Sequence, residues 1–275
     1  MSYVEHPAKI VPDTNSGRKG RIFLVGAGPG AADLLTVRAI RCLQKADVVY
    51  YDRLVEPETL AFTQVSAERI FVGKEVGDHS WPQERIDAAI VAAALQGKQV
   101  VRLKSGDPSI FGRATEEIAA ARAHGIEVEI IPGVTAASAA AASLCQPLTE
   151  RGVTDRVVLA TATCRPGELV SDLQDMARPG TTLVFYMAMQ QLAQLAEKLT
   201  GIGLSANHPV TIATHVSRPS ERRLETTVSG MSEDCEAAKI ANPAVIFLHL
   251  PKTQPQAVTM PFAPLQLSTV LYGPV

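Results

Sequence analysis

Short apolar runs and helically spaced apolar positions alternate along most of the chain. RIFLVG, residues 21–26, is a continuous apolar run of the kind a fully buried strand carries. Val37, Ile40 and Leu43 then recur at helical spacing, and DVVYYD, residues 47–52, returns as a strand. The unit repeats. ERIFVGK (68–74) reads as a strand, PQERIDAAIVAAALQGK (82–98) as a helix with Pro82 in its first turn, and QVVRLKSGD (99–107) as a strand running into a turn. A helix over residues 109–123, the strand EVEIIPG (127–133) and the small-residue helix TAASAAAASLCQ (135–146) complete this series.

The second half carries strands in DRVVLATAT (155–163), TTLVFYMAM (181–189), PVTIATHV (209–216), RRLETTVSG (222–230) and PAVIFLHL (243–250), with a helix over residues 190–201 and a short one before the last strand. Strands alternating with helices predict an α/β fold whose first sheet is mainly parallel and covered on both faces. RRLETTVSG follows PVTIATHV after the turn residues SRPSE, so these two pair antiparallel and the second sheet is mixed. The pattern therefore predicts two α/β domains, residues 20–134 and 135–251, the second including the alanine-rich linker helix. Residues 1–19 and 252–275 read as tails that are disordered or pack on a partner subunit.

With 275 residues, 46% of them hydrophobic, each domain can bury its own core. The formal net charge of -2, from 26 basic and 28 acidic residues, gives no overall field to hold nucleic acid, so an anionic ligand must be met by locally placed Arg and Lys. Cys42, Cys145, Cys164 and Cys235 form no C-x-x-C pair and the six His no H-E-x-x-H, so no metal is expected. The polar, Pro-broken N-terminus lacks the apolar core of a secretory signal, and no run approaches the roughly 20 apolar residues of a membrane span. A cytoplasmic protein with no membrane or nucleic-acid partner is expected.

VGAGPGAADLL, residues 25–35, follows the first strand. Gly26, Gly28 and Ala31 fit G-x-G-x-x-G/A, and Asp52 stands where a dinucleotide-binding domain keeps its ribose acid. Pro29 argues otherwise, because it removes an N–H that such a loop presents to pyrophosphate, and the next helix begins late, near Thr36. A different ligand fits this loop better than NAD, with a ligand-free turn and an NAD-dependent dehydrogenase as the alternatives. VVRLKSGDPSIFGRATEE, residues 100–117, puts a glycine and a carboxylate at the carboxyl end of a strand, where open α/β sheets bind ligands. Asp107 can accept hydrogen bonds from an ammonium or a ribose and Gly106 admits a close backbone approach, although an Asp-Pro turn alone explains both.

Together with VGAGPG, VVYYDRLV, FVGK, IIPGVTAASAAAASLCQPLTER and LVFYM, in this order, the stretch resembles the tetrapyrrole methylase family from about Ile22 to Leu250. YDRLV, SWPQE, FGR and PLTER are similar to members that methylate uroporphyrinogen III on two ring carbons, giving precorrin-2 for siroheme, cobalamin or haem d1, more than to relatives acting on later corrin intermediates. The resemblance implies a homodimer, a cleft between two domains, S-adenosylmethionine as methyl donor and S-adenosylhomocysteine as product. It implies cofactor contacts at Pro29, Ser105, Gly106, Asp107, Ile110, Thr135, Ala136, Met187 and Val216. Arg113, Glu116 and Arg151 match positions near the tetrapyrrole, and Asp52 and Lys74 match positions of proton transfer; Asp52, Lys74 and Arg113 form the catalytic set.

Plainer roles stand beside these: Asp52 as a strand-end cap, Met187 as core, Lys74 as a surface charge, Arg113 paired with Glu116 or Glu117. An arginine is a poor base at its pKa above about 12, so Asp52 or Lys74 is the expected proton acceptor. The chain departs from the family pattern at Ser105, Glu75, Glu150 and Thr163. Those departures leave open a later precorrin as substrate, or a non-catalytic protein that binds cofactor or tetrapyrrole.

Overall fold

The computed structural model describes residues 19–73, 81–165, 168–169 and 172–252. Its first half runs β1 (Arg21–Gly26), α1 (Val37–Leu43), β2 (Val48–Tyr51), α2 (Pro57–Leu60), β3 (Glu68–Phe71), α3 (Gln83–Leu95), β4 (Gln99–Lys104), α4 (Ala114–Ala123), β5 (Glu127–Ile131) and α5 (Ala136–Ser143). The five strands form one sheet in the order β3-β2-β4-β1-β5, every neighbouring pair parallel. Both faces are covered, which is why the three inner strands β1, β2 and β4 are mostly apolar, whereas the edge strands β3 and β5 keep exposed charges. Ile22, Leu24, Val48 and Val100 pack under α3 and α4; Val25, Val49, Val101 and Leu103 pack with Ala39 and Leu43 of α1. Thr36 caps α1, its hydroxyl accepting from the Ala39 amide at 3.1 Å.

The second half contains β6 (Arg156–Thr161), β7 (Thr163–Arg165), β8 (Glu168–Leu169), α6 (Leu173–Met176), β9 (Thr181–Tyr186), α7 (Leu192–Gly201), β10 (Pro209–Thr214), β11 (Arg222–Thr227), α8 (Met231–Ala237) and β12 (Ala244–Leu250). Its main sheet has the order β11-β10-β12-β9-β6. It is mixed, with β6 and β9 parallel and the other pairs antiparallel, including the β10–β11 hairpin expected from SRPSE. One face packs Leu183, Phe185, Ile212 and Ile246 with residues of α7 and α8. The other receives α5: Ala137, Ala140 and Leu144 lie against Val184, Ala213 and Phe247, with Leu34 and Val134 joining the same cluster. The small side chains of α5 thus fill the seam between the two sheets.

One predicted helix is corrected. Residues 109–113 do not open α4, which begins at Ala114; Phe111 and Arg113 take left-handed φ of 52° and 56°, and a Cβ on Gly112 would strike the Pro108 carbonyl. Asp107, Pro108 and Ser109 form a tight turn instead, so this segment belongs to the carboxyl end of the sheet rather than to its helical layer. The short elements α2, α6 and the β7–β8 pair carry too few residues for a periodic signal and were not predicted.

On the second sheet the His208 Nε2–H donates to the His249 carbonyl at 3.0 Å, and His249 Nδ1 lies 2.9 Å from the Thr182 hydroxyl. Burial, the foremost cause for both imidazoles, pushes their pKa values down. The unfolded chain therefore takes up these protons first as the pH falls. Folding stability is expected to decline on acidification below about 6.5, the ordinary imidazole value, down to the depressed folded values, and the decline should be shallower in His208→Gln. Urea midpoints on either side of that window check both slopes.

Candidate active site

The loops leaving β1, β4 and β5 converge at the carboxyl end of the first sheet because three glycines let their backbones touch. An ideal Cβ at Gly26 would lie 2.6 Å from the Gly133 Cα and 2.7 Å from the Gly106 carbonyl oxygen, and one at Gly133 would meet that oxygen closer still. Gly28 and Gly106 exchange backbone hydrogen bonds at 3.2 and 2.7 Å, so the GPG and SGD turns are zipped together. Asp107 completes the junction. Its Oδ1 accepts from the Ser109 amide at 2.8 Å and from the Ser109 hydroxyl, while Oδ2 accepts from the Gly133 amide at 3.0 Å. Gly106 itself has φ of 69° and no atom within 4 Å of an ideal Cβ, leaving open space over that turn.

This arrangement disfavours a dinucleotide. The Gly28 amide is spent on Gly106 and the Ala31 amide donates to Ser217 Oγ at 3.0 Å, while Pro29 is buried and has no N–H. Two amides of this loop are thus already bonded within the protein, and Pro29 removes a third, which leaves it poorly suited to pyrophosphate.

The second sheet supplies the opposite wall from the ends of β9 and β10. The Tyr186 hydroxyl accepts from the Ala137 amide at 3.0 Å and lies 2.6 Å from Thr135 Oγ1, so it caps α5 from another strand. Burial raises its pKa and keeps it a phenol. Its ring meets Phe111 at 5.2 Å between centroids. Arg218, following β10, reaches back to the first sheet: Nη1 is 2.8 Å from Glu56 Oε1 and Nη2 donates to the Leu54 carbonyl at 2.9 Å. Gly30 explains its own lack of a side chain here, since a Cβ would fall 2.6 Å from Arg218 Cγ.

Backbone strain gathers at the same place. Among the described residues seven non-glycines have positive φ, and two, Cys145 and Lys239, directly follow the C-caps of α5 and α8, where left-handed residues are ordinary. The other five, Phe111, Arg113, Met187, His215 and Ser217, all lie in loops that border or buttress the cleft.

Asp52, at the end of β2, turns one carboxylate oxygen to the Leu54 amide at 3.1 Å and the other toward Arg102 Nη2 at 3.6 Å. Arg113 and Glu116 form an exposed two-pronged pair at 2.8 and 2.9 Å. Glu116 foremost, with Asp87 and Glu84 adding to it, pushes the Arg113 pKa up.

Pro29, Ser105, Gly106, Asp107, Ile110, Thr135, Ala136, Met187 and Val216 thus all lie in or beside the linked loops. Arg151 does not join them within one chain. Its turn feeds the start of β6, which pairs with the start of β9, about 17 Å along the strand from Tyr186. Lys74, Glu75 and the side chain of Thr163 lie outside the described residues. Sequence reasoning missed Arg218, which no local pattern marks, and Tyr186, whose place in LVFYM gave no sign that it caps a helix. It also missed the pairing of Arg102 and Lys104 with Glu117, although two cations at alternate positions of an apolar strand were a legible signal.

A family model described as Tetrapyrrole (Corrin/Porphyrin) Methylases matches residues 21–231. The chain belongs to this methyltransferase family. It is 42% identical over 229 residues to a siroheme synthase of Pseudomonas aeruginosa, covering 83% of this chain and 49% of that one. It is 41% identical to the siroheme synthase of Nitrosospira multiformis, covering 86% of this chain and 50% of the other. This methylase therefore spans about half the length of the curated relatives it matches. Among solved structures, uroporphyrin III C-methyltransferase from Thermus thermophilus superposes with a TM-score of 0.70 at 35% identity, over 83% of this chain and 92% of that one. A cobalt precorrin-4 methyltransferase superposes with a TM-score of 0.74 at 30% identity, over 83% and 94%. A second Thermus thermophilus structure is a complex with S-adenosylhomocysteine. Among the described residues no helix is long and apolar enough to cross a membrane, and no group of three or more His, Cys, Asp or Glu could hold a metal ion.

Arg218 joins both walls of the methylase cleft, and removing it strands Glu56 and the Leu54 carbonyl. Losing a half-buried ion pair with its hydrogen bonds costs about 1–3 kcal/mol. Arg218→Ala is therefore expected to lower Tm by about 2–10 °C, read by calorimetric melting.

Proposed function

We propose that this chain transfers methyl groups from S-adenosylmethionine to two ring carbons of uroporphyrinogen III, giving precorrin-2. The observation that carries the reading is the closed set of contacts among the matched motif residues: GPG on SGD, Asp107 on Gly133, Thr135 on Tyr186, and Gly30 under Arg218. The open space at Gly106, bordered by turns rather than side chains, fits a cofactor held by backbone groups. Ser105, Ile110, Ala136, Met187 and Val216 complete its surroundings in this reading, with Pro29 shaping the floor. Names of relatives support the substrate: siroheme synthases and a uroporphyrin III C-methyltransferase.

S-adenosylmethionine, when bound, would supply a methyl carbon made electrophilic by its sulfonium: as an electron-rich pyrrole carbon bonds to it, the carbon–sulfur bond breaks and S-adenosylhomocysteine leaves. The protein's work is alignment and proton removal. Rigid turns hold donor and acceptor in near-attack geometry, a contribution of roughly 7–11 kcal/mol to such reactions. The methylated ring then loses a proton: a meso C–H bond breaks, its electron pair restores the neutral ring, and the proton passes to Asp52, whose carboxylate is half-exposed at the cleft end of β2. Arg113 and Glu116 meet the substrate's carboxylates and pyrrole edge, Arg113 by its planar fork. Lys74 is the second candidate for proton transfer. Arg151 serves a substrate site only across a homodimer, the assembly we favour.

The later-precorrin reading has one observation in its favour, the higher TM-score to the cobalt precorrin-4 enzyme. Anaerobic incubation with uroporphyrinogen III and S-adenosylmethionine separates the two, with a gain of two methyl masses expected and no gain on that substrate pointing to the later intermediate. Asp107→Ala is expected to weaken S-adenosylhomocysteine binding at least about tenfold by calorimetry, because the turns it ties together form the cofactor floor, a loss of about 1.4 kcal/mol.

A further inference from the structure

β4 is a central strand, and Val100, Arg102 and Lys104 project from it to the face closed by α3 and α4. Two cations on an otherwise apolar face are costly unless paired. Glu117 of α4, fully buried, provides the pair: its carboxylate lies 2.8 and 2.9 Å from Lys104 Nζ and 3.1 Å from Arg102 Nε. Arg102 Nη1 donates to the Leu103 carbonyl at 3.0 Å and to the Tyr50 carbonyl at 3.4 Å, and Nη2 faces Asp52 Oδ2 at 3.6 Å. Every arm of the guanidinium is thus engaged, and its orientation is fixed. Two buried cations against one buried carboxylate leave one positive charge over, and Arg102 directs it at Asp52.

We propose that Arg102, clamped by Glu117, is a positioning residue for Asp52, holding the carboxylate in the orientation in which it receives the proton released after methyl transfer. The proposal rests on the reading of Asp52 as that acceptor. The charged groups facing Asp52 are Arg102 and Lys104 from β4 and Glu117 behind them from α4. Arg53 follows it in the chain, and the Arg218–Glu56 pair from the second sheet holds the rest of its loop. Burial and the adjacent Arg102 push Lys104 down while Glu117 opposes them. The purpose of the cluster is then legible from its shape. One backbone amide bonds Oδ1 of Asp52 and the guanidinium stands beside Oδ2, so each oxygen is held from its own side and keeps a lone pair to accept a proton.

The test is the pH dependence of kcat for methyl transfer in the full chain, with S-adenosylhomocysteine affinity measured beside it to show that each variant folds. Arg102→Met removes the cation facing Asp52, and the acid-side fall in kcat moves up by about one pH unit. Glu117→Gln leaves both cations unbalanced, and the same fall moves down. A merely structural cluster would move neither, or would lower kcat at all pH values alike in both variants, and either result overturns the proposal. Asp52→Asn distinguishes its parent reading: kcat near wild type in Asp52→Asn removes the proton acceptor and the proposal with it, whereas a loss there with unmoved profiles in Arg102→Met and Glu117→Gln removes the proposal alone.

Discussion

The meeting of three backbones at Gly26, Gly106 and Gly133 is the constraint on which the site depends. Side chains at Gly26 or Gly133 would push the ends of β1, β4 and β5 apart, since a Cβ there would sit where the Gly106 carbonyl and the other glycine's Cα already lie, while Gly106 supplies the left-handed turn. With the three ends in contact, Asp107 can reach Gly133, the GPG turn can lie on the SGD turn, and the chain leaving β5 is aimed into the seam where α5 packs on the other sheet. Removing side chains here does two things at once. It closes the sheet end mechanically and leaves backbone, rather than side chain, exposed to a ligand above Gly106.

Electrostatics divide the site into a fixed part and a yielding part. The Arg102–Glu117–Lys104 cluster is buried, and breaking a buried pair by removing one partner typically costs about 3–5 kcal/mol. Arg113 and Glu116 are joined at shorter or equal distances, yet both are exposed, and an exposed helical pair is worth only about 0.3–0.5 kcal/mol. Burial, not distance, decides which interaction holds. The exposed Arg113 pair can therefore open at small cost, while Asp52 keeps its setting. Adjacent residues of one helix, Glu116 and Glu117, thus face different tasks.

Neither lobe makes the cleft alone. Tyr186 of the second sheet caps α5, which begins in a loop of the first; Arg218 of the second sheet fills the space that Gly30 of the first leaves empty. Two of the five strained cleft residues make contacts across the seam, Ser217 with the Ala31 amide and Phe111 with Tyr186, so part of the cost of holding them is met between lobes. This accounts for a family whose members keep both lobes together over nearly the full length of the solved chains they share.

The order of elements, the parallel first sheet, the mixed second sheet and the late start of α1 were legible in the chain because they follow from local periodicity and single-residue chemistry: apolar runs, SRPSE, Thr36 and Pro29. The turns that meet at the sheet's carboxyl end were legible for the same reason, as clusters of Gly, Pro and Asp at strand ends. The helix expected from residue 109 failed where Phe111 and Arg113 adopt conformations no propensity favours. Contacts were another matter. Whether Arg113 pairs with Glu116 or Glu117, that Arg151 stands at the far end of its sheet, and that Ala31 bonds Ser217 across 186 residues depend on how two separately patterned sheets pack. A local pattern fixes which face of an element is apolar; only the packed tertiary structure, by bringing distant faces to within hydrogen-bonding range, decides which polar groups on them become partners.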